Sequence, residues 1–476
     1  MKFIKILSFC FIIILSSGCC YHIFKAMPEG TNYESEYYYV NEDEVDFLYD
    51  LTYKHNNEIV SRQEIFDTIL DHIDSAETYI LIDMFLFNSY IGAADNAHRE
   101  ITKELTDKLI RKKKDSAVQI DFITDPVNTV YEGADSNELL QMEKAGINVI
   151  VTNLNKLPDS NLLYSVIWRT LFQWMGNSKG CGLLPHPFSS DEERVTIRSY
   201  LTLLNFKANH RKVFAADFGD TWVTVVSSAN PHAGSSAHSN TGLLIYGDFA
   251  EEIFKTENSV ADFSKEQLSS NIETERDEIE KEIKIKLITE ERIKENLLNE
   301  VNSTTGCDSI KMGMFYLSDR DIVKSLLSAS ERDVSIKIIL DPNKDAFGRK
   351  KQGIPNRPVA YELVTKSNKK IQLKWYSTYG EQFHSKIVMI QRADETATVI
   401  IGSANLTKRN IGSKNLEMNV VLKASNNSET ICEIQEYFHL IWNDEKYTLS
   451  FEAYEVKSRW MQWVYRFTEF WGAATY

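Results

Sequence analysis

Apolar runs of strand length alternate with charged, amphipathic segments along this chain, and the alternation occurs twice. In the first half, Thr78 to Asn88 is an apolar run, Arg99 to Arg111 carries its apolar residues at helical spacing, and Val118 to Pro126 is a second apolar run ending in Asp125-Pro126. In the second half, Asp308 to Ser318, Arg320 to Ser330 and Val334 to Pro342 repeat these elements and end again in Asp-Pro. Short apolar runs bounded by turn signals read as buried strands, and apolar positions three and four apart read as one face of a helix. Strands alternating with helices predict a largely parallel sheet flanked by helices. A repeat this long is a duplicated domain rather than a short-period solenoid. The expected fold class is α/β, with two similar α/β/α sandwich domains.

Each half also carries a second repeated block. His210-Arg211-Lys212 leads through Val213 to Ala216 into Asp217, and His384-Ser385-Lys386 leads through Ile387 to Ile390 into Gln391. A further strand, Trp222 to Val226 or Thr398 to Ile401, then delivers a small-residue turn ending in asparagine: Ser227-Ser228-Ala229-Asn230 and Gly402-Ser403-Ala404-Asn405. From His210 to Asn230 is 20 residues, and from His384 to Asn405 is 21. Alternate residues of a strand share a face, so the histidine and lysine of each unit point the same way. Two histidines and two lysines converging on one site meet the needs of phosphodiester cleavage. A neutral imidazole attacks, a protonated one donates to the leaving oxygen, and lysine holds the anionic oxygens. Asparagine and serine add neutral donors that set orientation. Nothing in the spacing asks for a metal or another cofactor.

At these residues the sequence resembles the phospholipase D superfamily, whose signature is H-x-K-x4-D followed by a G-S-x-N-like turn. The resemblance continues through Gly402 to Asn410 and through Asn415-Leu416-Glu417-Met418-Asn419. It implies a duplicated fold with one active site at the interface of the two domains. It also implies a covalent phosphohistidine on one histidine, the other acting as acid and then as base for incoming water or alcohol. Analogy assigns His210 as nucleophile and His384 as acid. Lys212, Lys386, Asn230 and Asn405 would bind the phosphate, with Ser228 and Ser403 beside them. Glu417 would orient His384 through its other ring nitrogen, a task for which a carboxylate is well suited. Asp217 completes the first signature; Gln391 replaces the acid in the second, where an amide still hydrogen-bonds. Aligning Asn240 with Asn415 puts Gly242 opposite Glu417, so the two histidines are expected to be unequally supported.

The halves differ in length. Met84 to His210 spans 126 residues and Met314 to His384 spans 70, so about 56 are extra in the first half, most of them within 155–205. Leu162 to Met175 in that insertion is rich in large apolar side chains, as in a lid, a lipid-facing helix, or a helix packed on its own domain. The second half has a Gly- and Pro-punctuated loop, Asp341 to Pro358, made basic by Lys344, Arg349, Lys350, Lys351 and Arg357. Loops at strand C-termini are where open α/β sheets hold ligands, which makes Arg349 a candidate anion-binding residue. Glu381 and Gln382, just ahead of His384, are candidates for the pocket wall. Residues 251–302, dense in Glu and Lys, predict an exposed helical connector between domains spanning 40–250 and 303–448. The tail, 449–476, contains an aromatic segment from Tyr454 to Trp471 that either docks on the core or lies at an interface.

Residues 1–20 have the parts of an export signal: a basic start, a short apolar core and small residues. Leu15 to Cys19 resembles a bacterial lipoprotein processing box with Cys19 acylated; an uncleaved anchor continuing through Phe24 is the alternative. Six cysteines, two of them adjacent at 19 and 20, make no disulfide framework. The net charge of −15 argues against nucleic acid, whose binding rests on phosphate neutralisation. The expected protein is an exported, membrane-associated enzyme acting on phospholipid. It is a phospholipase D if water accepts the phosphatidyl group and a cardiolipin-synthase-like transferase if a lipid alcohol does. A phosphodiesterase of DNA or RNA, with a basic aromatic groove, and a non-catalytic lipid-binding protein are the rival expectations.

Overall fold

The computed structural model describes residues 9–472, except 11, 14–15, 17, 19–20, 22–23, 92–97, 181, 190–193, 271, 273–280 and 347–348. Cys19 lies outside the described residues. Among those described, no helix is long and apolar enough to cross a membrane.

Two mixed sheets form the centres of two lobes. The first runs, in order across the sheet, Val45–Tyr49, Thr241–Tyr246, Thr221–Ser227, Lys212–Phe218, Tyr79–Met84, Gln119–Thr124, Asn148–Val151. In the second, the seven strands Ile283–Thr289, Met418–Ser425, Thr396–Gly402, Lys386–Gln391, Ser309–Met314, Ser335–Leu340 and Ile371–Tyr376 repeat that order and those directions. Tyr38–Val40 and Thr448–Ser450 add the two edges. Only the last three strands of each seven pair in parallel. The other pairs are antiparallel, so the expectation of a largely parallel sheet is corrected to a mixed one. The reason is local. Lys212–Phe218 and Thr221–Ser227 are joined by Gly219-Asp220 alone, with Gly219 at φ +60°, and a turn that short can join only antiparallel strands.

Helices cover both faces. Ile65–Ser75, Ile101–Asp115 and Asn137–Lys144 close one core on the outer face of the first sheet. Glu291–Asn302, Arg320–Glu331 and Asn356–Lys366 do the same for the second. The largest core lies between the sheets, where Ala215 and Val226 share a cluster with Ile387, Val399 and Ile401. Ala250–Ser264 and Glu429–Asn443 also pack into that cluster. The fold is a duplicated α/β architecture whose lobes share a buried interface.

The stretch 251–302 is not an exposed helical connector. Ala250–Ser264 buries Ile253, Phe254, Glu257 and Val260, and Glu291–Asn302 buries Ile293, Leu297 and Val301. Between them Ile283–Thr289 enters the second sheet beside Met418–Ser425. The charge density hides a period-two pattern, with Ile283, Ile285 and Leu287 inside and Lys284 and Lys286 towards the other face. In the insertion, Leu162–Ile167 continues through a π-turn at Trp168–Phe172. It buries Val166 and Trp168 and exposes Leu171, Trp174 and Met175 beyond them.

Candidate active site

Lys212 and Lys386 begin their strands, and His210 and His384 stand two residues earlier, in the segments that cross between lobes. The His210 amide donates to the Leu416 carbonyl at 2.9 Å, and the His384 amide donates to the Ser239 carbonyl at 2.8 Å. The repeated Asp-Pro has a physical cause. The Asp125 carboxylate accepts the Asn209 amide at 2.7 Å and the Asp341 carboxylate accepts the Phe383 amide at 2.8 Å, fixing the residue just before each histidine. Asn128 and Asn356 make a second matched pair. Their side-chain amides donate to the carbonyls of Phe85 (2.8 Å) and Phe315 (2.6 Å). Those two rings lie 4.8 Å from the His210 ring and 4.9 Å from the His384 ring.

The histidines are oriented across the interface. Nδ1 of His210 lies 2.9 Å from the Glu417 carboxylate, and Nδ1 of His384 lies 3.2 Å from Asn240 Oδ1. Glu417 thus serves His210 and not His384, because Leu416-Glu417 runs alongside Asn209-His210 of the other lobe. The structural repeat aligns Asn240, rather than Gly242, with Glu417. The Ser403 hydroxyl donates to Glu417 at 2.5 Å and accepts the Met418 amide at 2.9 Å. The Ser228 hydroxyl donates to Asn240 at 3.2 Å and accepts the Thr241 amide at 3.0 Å. Ser228 and Ser403 therefore brace the orienting groups, where the sequence suggested that they bind substrate. Asn410 also donates to Glu417, and Asn240 donates to Asp50 at 2.9 Å. Asp50 carries no signal in the signature spacing, and Asn410 closes the segment that resembles the second motif's tail.

The site is buried and rich in positive charge. Burial, then the charges of Lys212, Lys386 and Arg409, hold His210 well below the usual imidazole range; burial, Lys386 and His238 do the same to His384. Burial brings Lys212 down to about 7, lowers Lys386 well below its ordinary value and pushes Glu417 up to about 7. Such a cluster gains by taking in an anion, because each buried cation is costly until it is paired. Both ammonium groups fold back on their own units, Lys212 Nζ to the His210 carbonyl at 2.5 Å and Lys386 Nζ to the His384 carbonyl at 2.8 Å. Asn230 and Asn405 are buried at the ends of their turns; Asn230 Oδ1 receives the Leu86 amide at 3.4 Å. Arg409, over the Phe206 ring at 5.5 Å, adds a cation that acts on His210.

Four candidates fall elsewhere. Asp217 and Gln391 lie seven residues past their histidines, roughly 23 Å along a strand. Asp217 accepts the amides of Glu77, Thr78 and Tyr79 at 2.7–2.9 Å, and Gln391 Oε1 receives Lys311 Nζ at 2.7 Å. Both tie strand ends and do not touch the site. The Glu381 carboxylate turns onto the Tyr379 amide at 3.0 Å, and burial pushes it up to about 7. Arg349 begins a two-residue strand; its side chain lies outside the described residues. In the same loop Lys351 donates to the Tyr316 hydroxyl at 2.6 Å, and the Tyr316 ring packs on Phe315 at 4.0 Å, one ring away from His384.

Arg211, between the paired residues of the first motif, points to the opposite face. Its guanidinium is fully buried and pairs with Glu257 and Glu290, each at 3.0 Å. Burial opposes its charge, but Glu290, Glu257 and Asp83 outweigh burial and hold its pKa above the ordinary value. Glu290 in turn receives the Glu417 amide at 3.1 Å, so this ion cluster supports the segment that carries Glu417.

Residues 297–442 match the family model described as cardiolipin synthase, PLD-like domain. No curated protein matches the sequence. Among solved structures, a phosphatidylserine synthase from Haemophilus influenzae Rd KW20 superposes with a TM-score of 0.58 at 10% identity, over 91% of this chain and 94% of that one. A phospholipase D family member, Nuc, from Salmonella typhimurium covers 35% of this chain and 97% of its own, at 23% identity and a TM-score of 0.27. The first of these likenesses is one of fold, spanning both lobes; the family match falls on the second lobe and includes His384, Lys386, Asn405 and Glu417. The duplicated fold, the paired H-x-K motifs and the family match on the second lobe together support placing the chain with the phospholipase D superfamily.

Proposed function

We propose that this protein is a phospholipase D-like phosphodiesterase that moves a phosphatidyl group from a phospholipid to water or an alcohol, through a phosphohistidine on His210 and without a metal. The observation that supports it best is the unequal holding of the two imidazoles, with a carboxylate on His210 and an amide on His384. With Nδ1–H held by Glu417, Nε2 of His210 attacks phosphorus. The bond to the headgroup oxygen breaks, and His384 gives that oxygen its proton. The phosphorylated His210 ring carries positive charge, which Glu417 stabilises. His384 faces a neutral oxygen, so its protonated form is less stabilised and it is the better donor. It then takes a proton from incoming water or alcohol, whose oxygen displaces Nε2. Lys212 and Lys386 hold the non-bridging oxygens.

The family description and the fold shared with a phosphatidylserine synthase favour phospholipid as substrate, and the net charge of −15 disfavours nucleic acid. Acylation at Cys19 and export would place the enzyme at its substrate. The deciding experiment is headgroup release from phosphatidylcholine, phosphatidylethanolamine and phosphatidylglycerol vesicles with chelator present. Release that ethanol or glycerol diverts into a new phospholipid is expected. Inactivity on every lipid would sink the substrate, and loss on adding chelator would sink the metal-free route.

The role of Asn240 has its own test. Asn240→Asp puts a carboxylate on His384 Nδ1 and raises its pKa. The acid must be protonated to act, so the alkaline limb of the kcat profile is expected to move to higher pH, by about one unit or more. An unmoved limb would show that His384 is not the proton donor.

A further inference from the structure

The C-terminal helix, Arg459–Phe470, has two unlike faces. One is docked on the second lobe. The Tyr465 ring is fully buried and its hydroxyl accepts from Arg320 and donates to the Ser318 carbonyl, and buried Glu469 receives the Ser318 hydroxyl at 2.7 Å and the Lys408 amide at 2.8 Å. The other face carries Trp460, Trp463, Phe467 and Phe470, spaced three and four apart and 68%, 55%, 47% and 62% exposed. Their rings form a continuous ladder: Trp460 on Trp463 at 5.2 Å, Trp463 on Phe467 at 5.2 Å, and Phe467 to Trp471 at 6.4 Å. Four large aromatic side chains in one exposed stripe are far more than docking requires.

We propose that this stripe is a membrane-interface surface, which seats the enzyme on an anionic phospholipid bilayer beside its active site. Three observations select a bilayer. The stripe is built of Trp and Phe at helical spacing with cations between, the composition of a helix that lies at the headgroup boundary. Charge is complementary: Arg459 is exposed, Lys408 lies over the Phe470 ring at 4.9 Å, Arg466 is exposed beside its partner Glu362, and the one acid of the helix, Glu469, is buried, all in a chain of net charge −15. The stripe is also continuous with the site and with the start of the chain. Lys408 and Glu469 join the helix to the turn that carries Asn405 and Arg409. Gly472 lies against the Ser160 carbonyl, and the same insertion receives Tyr21 under Arg169 at 4.0 Å and Lys25 at the Asn155 carbonyl, 2.8 Å away. Tyr21, Lys25 and the aromatic helix thus reach one segment of the molecule.

This surface deepens the phospholipid reading and rests on it for the substrate. The test separates the two. The full chain is mixed with phosphatidylglycerol vesicles containing phosphatidylcholine brominated on its acyl chains, and tryptophan fluorescence is recorded. Quenching is expected, and Trp460→Phe/Trp463→Phe is expected to lose most of it, whatever holds the N-terminus. Equal quenching in both proteins would overturn the proposal. So would an absence of quenching combined with a dimer that Trp460→Ser/Trp463→Ser/Phe467→Ser dissolves, which would assign the face to a second copy. The triple variant is expected to lose at least about tenfold in headgroup release from vesicles while turning over a monomeric short-chain phospholipid at the parent rate. A fall on both substrates with an unchanged Tm would overturn a purely interfacial role. If the parent protein is quenched but turns over neither substrate, the surface stands and the proposed reaction fails.

Discussion

His210→Ala is expected to lower kcat by roughly 10⁴-fold or more on both a phospholipid and an activated diester such as bis(4-nitrophenyl) phosphate. His384→Ala should lose the first reaction and keep the opening step of the second. The reason is the leaving group. A lipid headgroup departs as a poor alkoxide unless it is protonated, and a positioned acid is worth about 10²–10⁴-fold. Nitrophenolate departs unaided, so only attack by His210 is required. Without His384 no base activates water, and the phosphorylated enzyme accumulates. His384→Ala is therefore expected to release a burst of nitrophenolate stoichiometric with enzyme and to carry phosphohistidine detectable by phosphorus NMR. The opposite pattern, a burst from His210→Ala, would exchange the two roles. A burst from neither would remove the covalent intermediate. The expected asymmetry comes from Glu417 on one ring and Asn240 on the other, both set from the opposite lobe.

Arg211→Met is expected to destabilise the protein by ~3–5 kcal/mol, because it leaves Glu257 and Glu290 buried without their cation. The corresponding fall in Tm is about 6–20 °C for lobes of this size. Glu257 belongs to the last helix of the first lobe and Glu290 follows the first strand of the second, so the guanidinium is also a clamp between lobes. Because Glu290 holds the Glu417 amide, activity should fall at temperatures where the variant is still folded. Thermal unfolding followed beside vesicle turnover checks both. A Tm shift below about 2 °C would show that the carboxylates find other partners or take up protons without cost.

Much of the fold is legible because strand and helix periods are local. The apolar runs at Tyr79–Met84 and Ser309–Met314, the helical spacing at Ile101–Asp115 and Arg320–Glu331, and the duplication itself are all written in neighbouring residues. The strand Ile283–Thr289 is not legible in the same way, since its alternation is embedded in a run of lysine and glutamate whose helical charge pairing is the stronger local signal. The aromatic tail admits two readings; the helix docks one face on the second lobe and leaves the aromatic residues of the other exposed.

For the site, the residue types and the shared direction of each histidine and lysine follow from strand geometry, so the sequence determined which groups are available for phosphoryl chemistry. It could not determine their partners. Asp217 and Gln391 are carried away by the length of a straight strand, and Glu417 reaches His210 because the lobes cross there. Hydrogen-bond partners are settled by distances of a few ångströms between segments more than 140 residues apart, as with His384 and Asn240. That information resides in how two sheets pack face to face. Periodicity along one chain decides only which side of a strand a residue occupies, and the tertiary structure decides what it meets there.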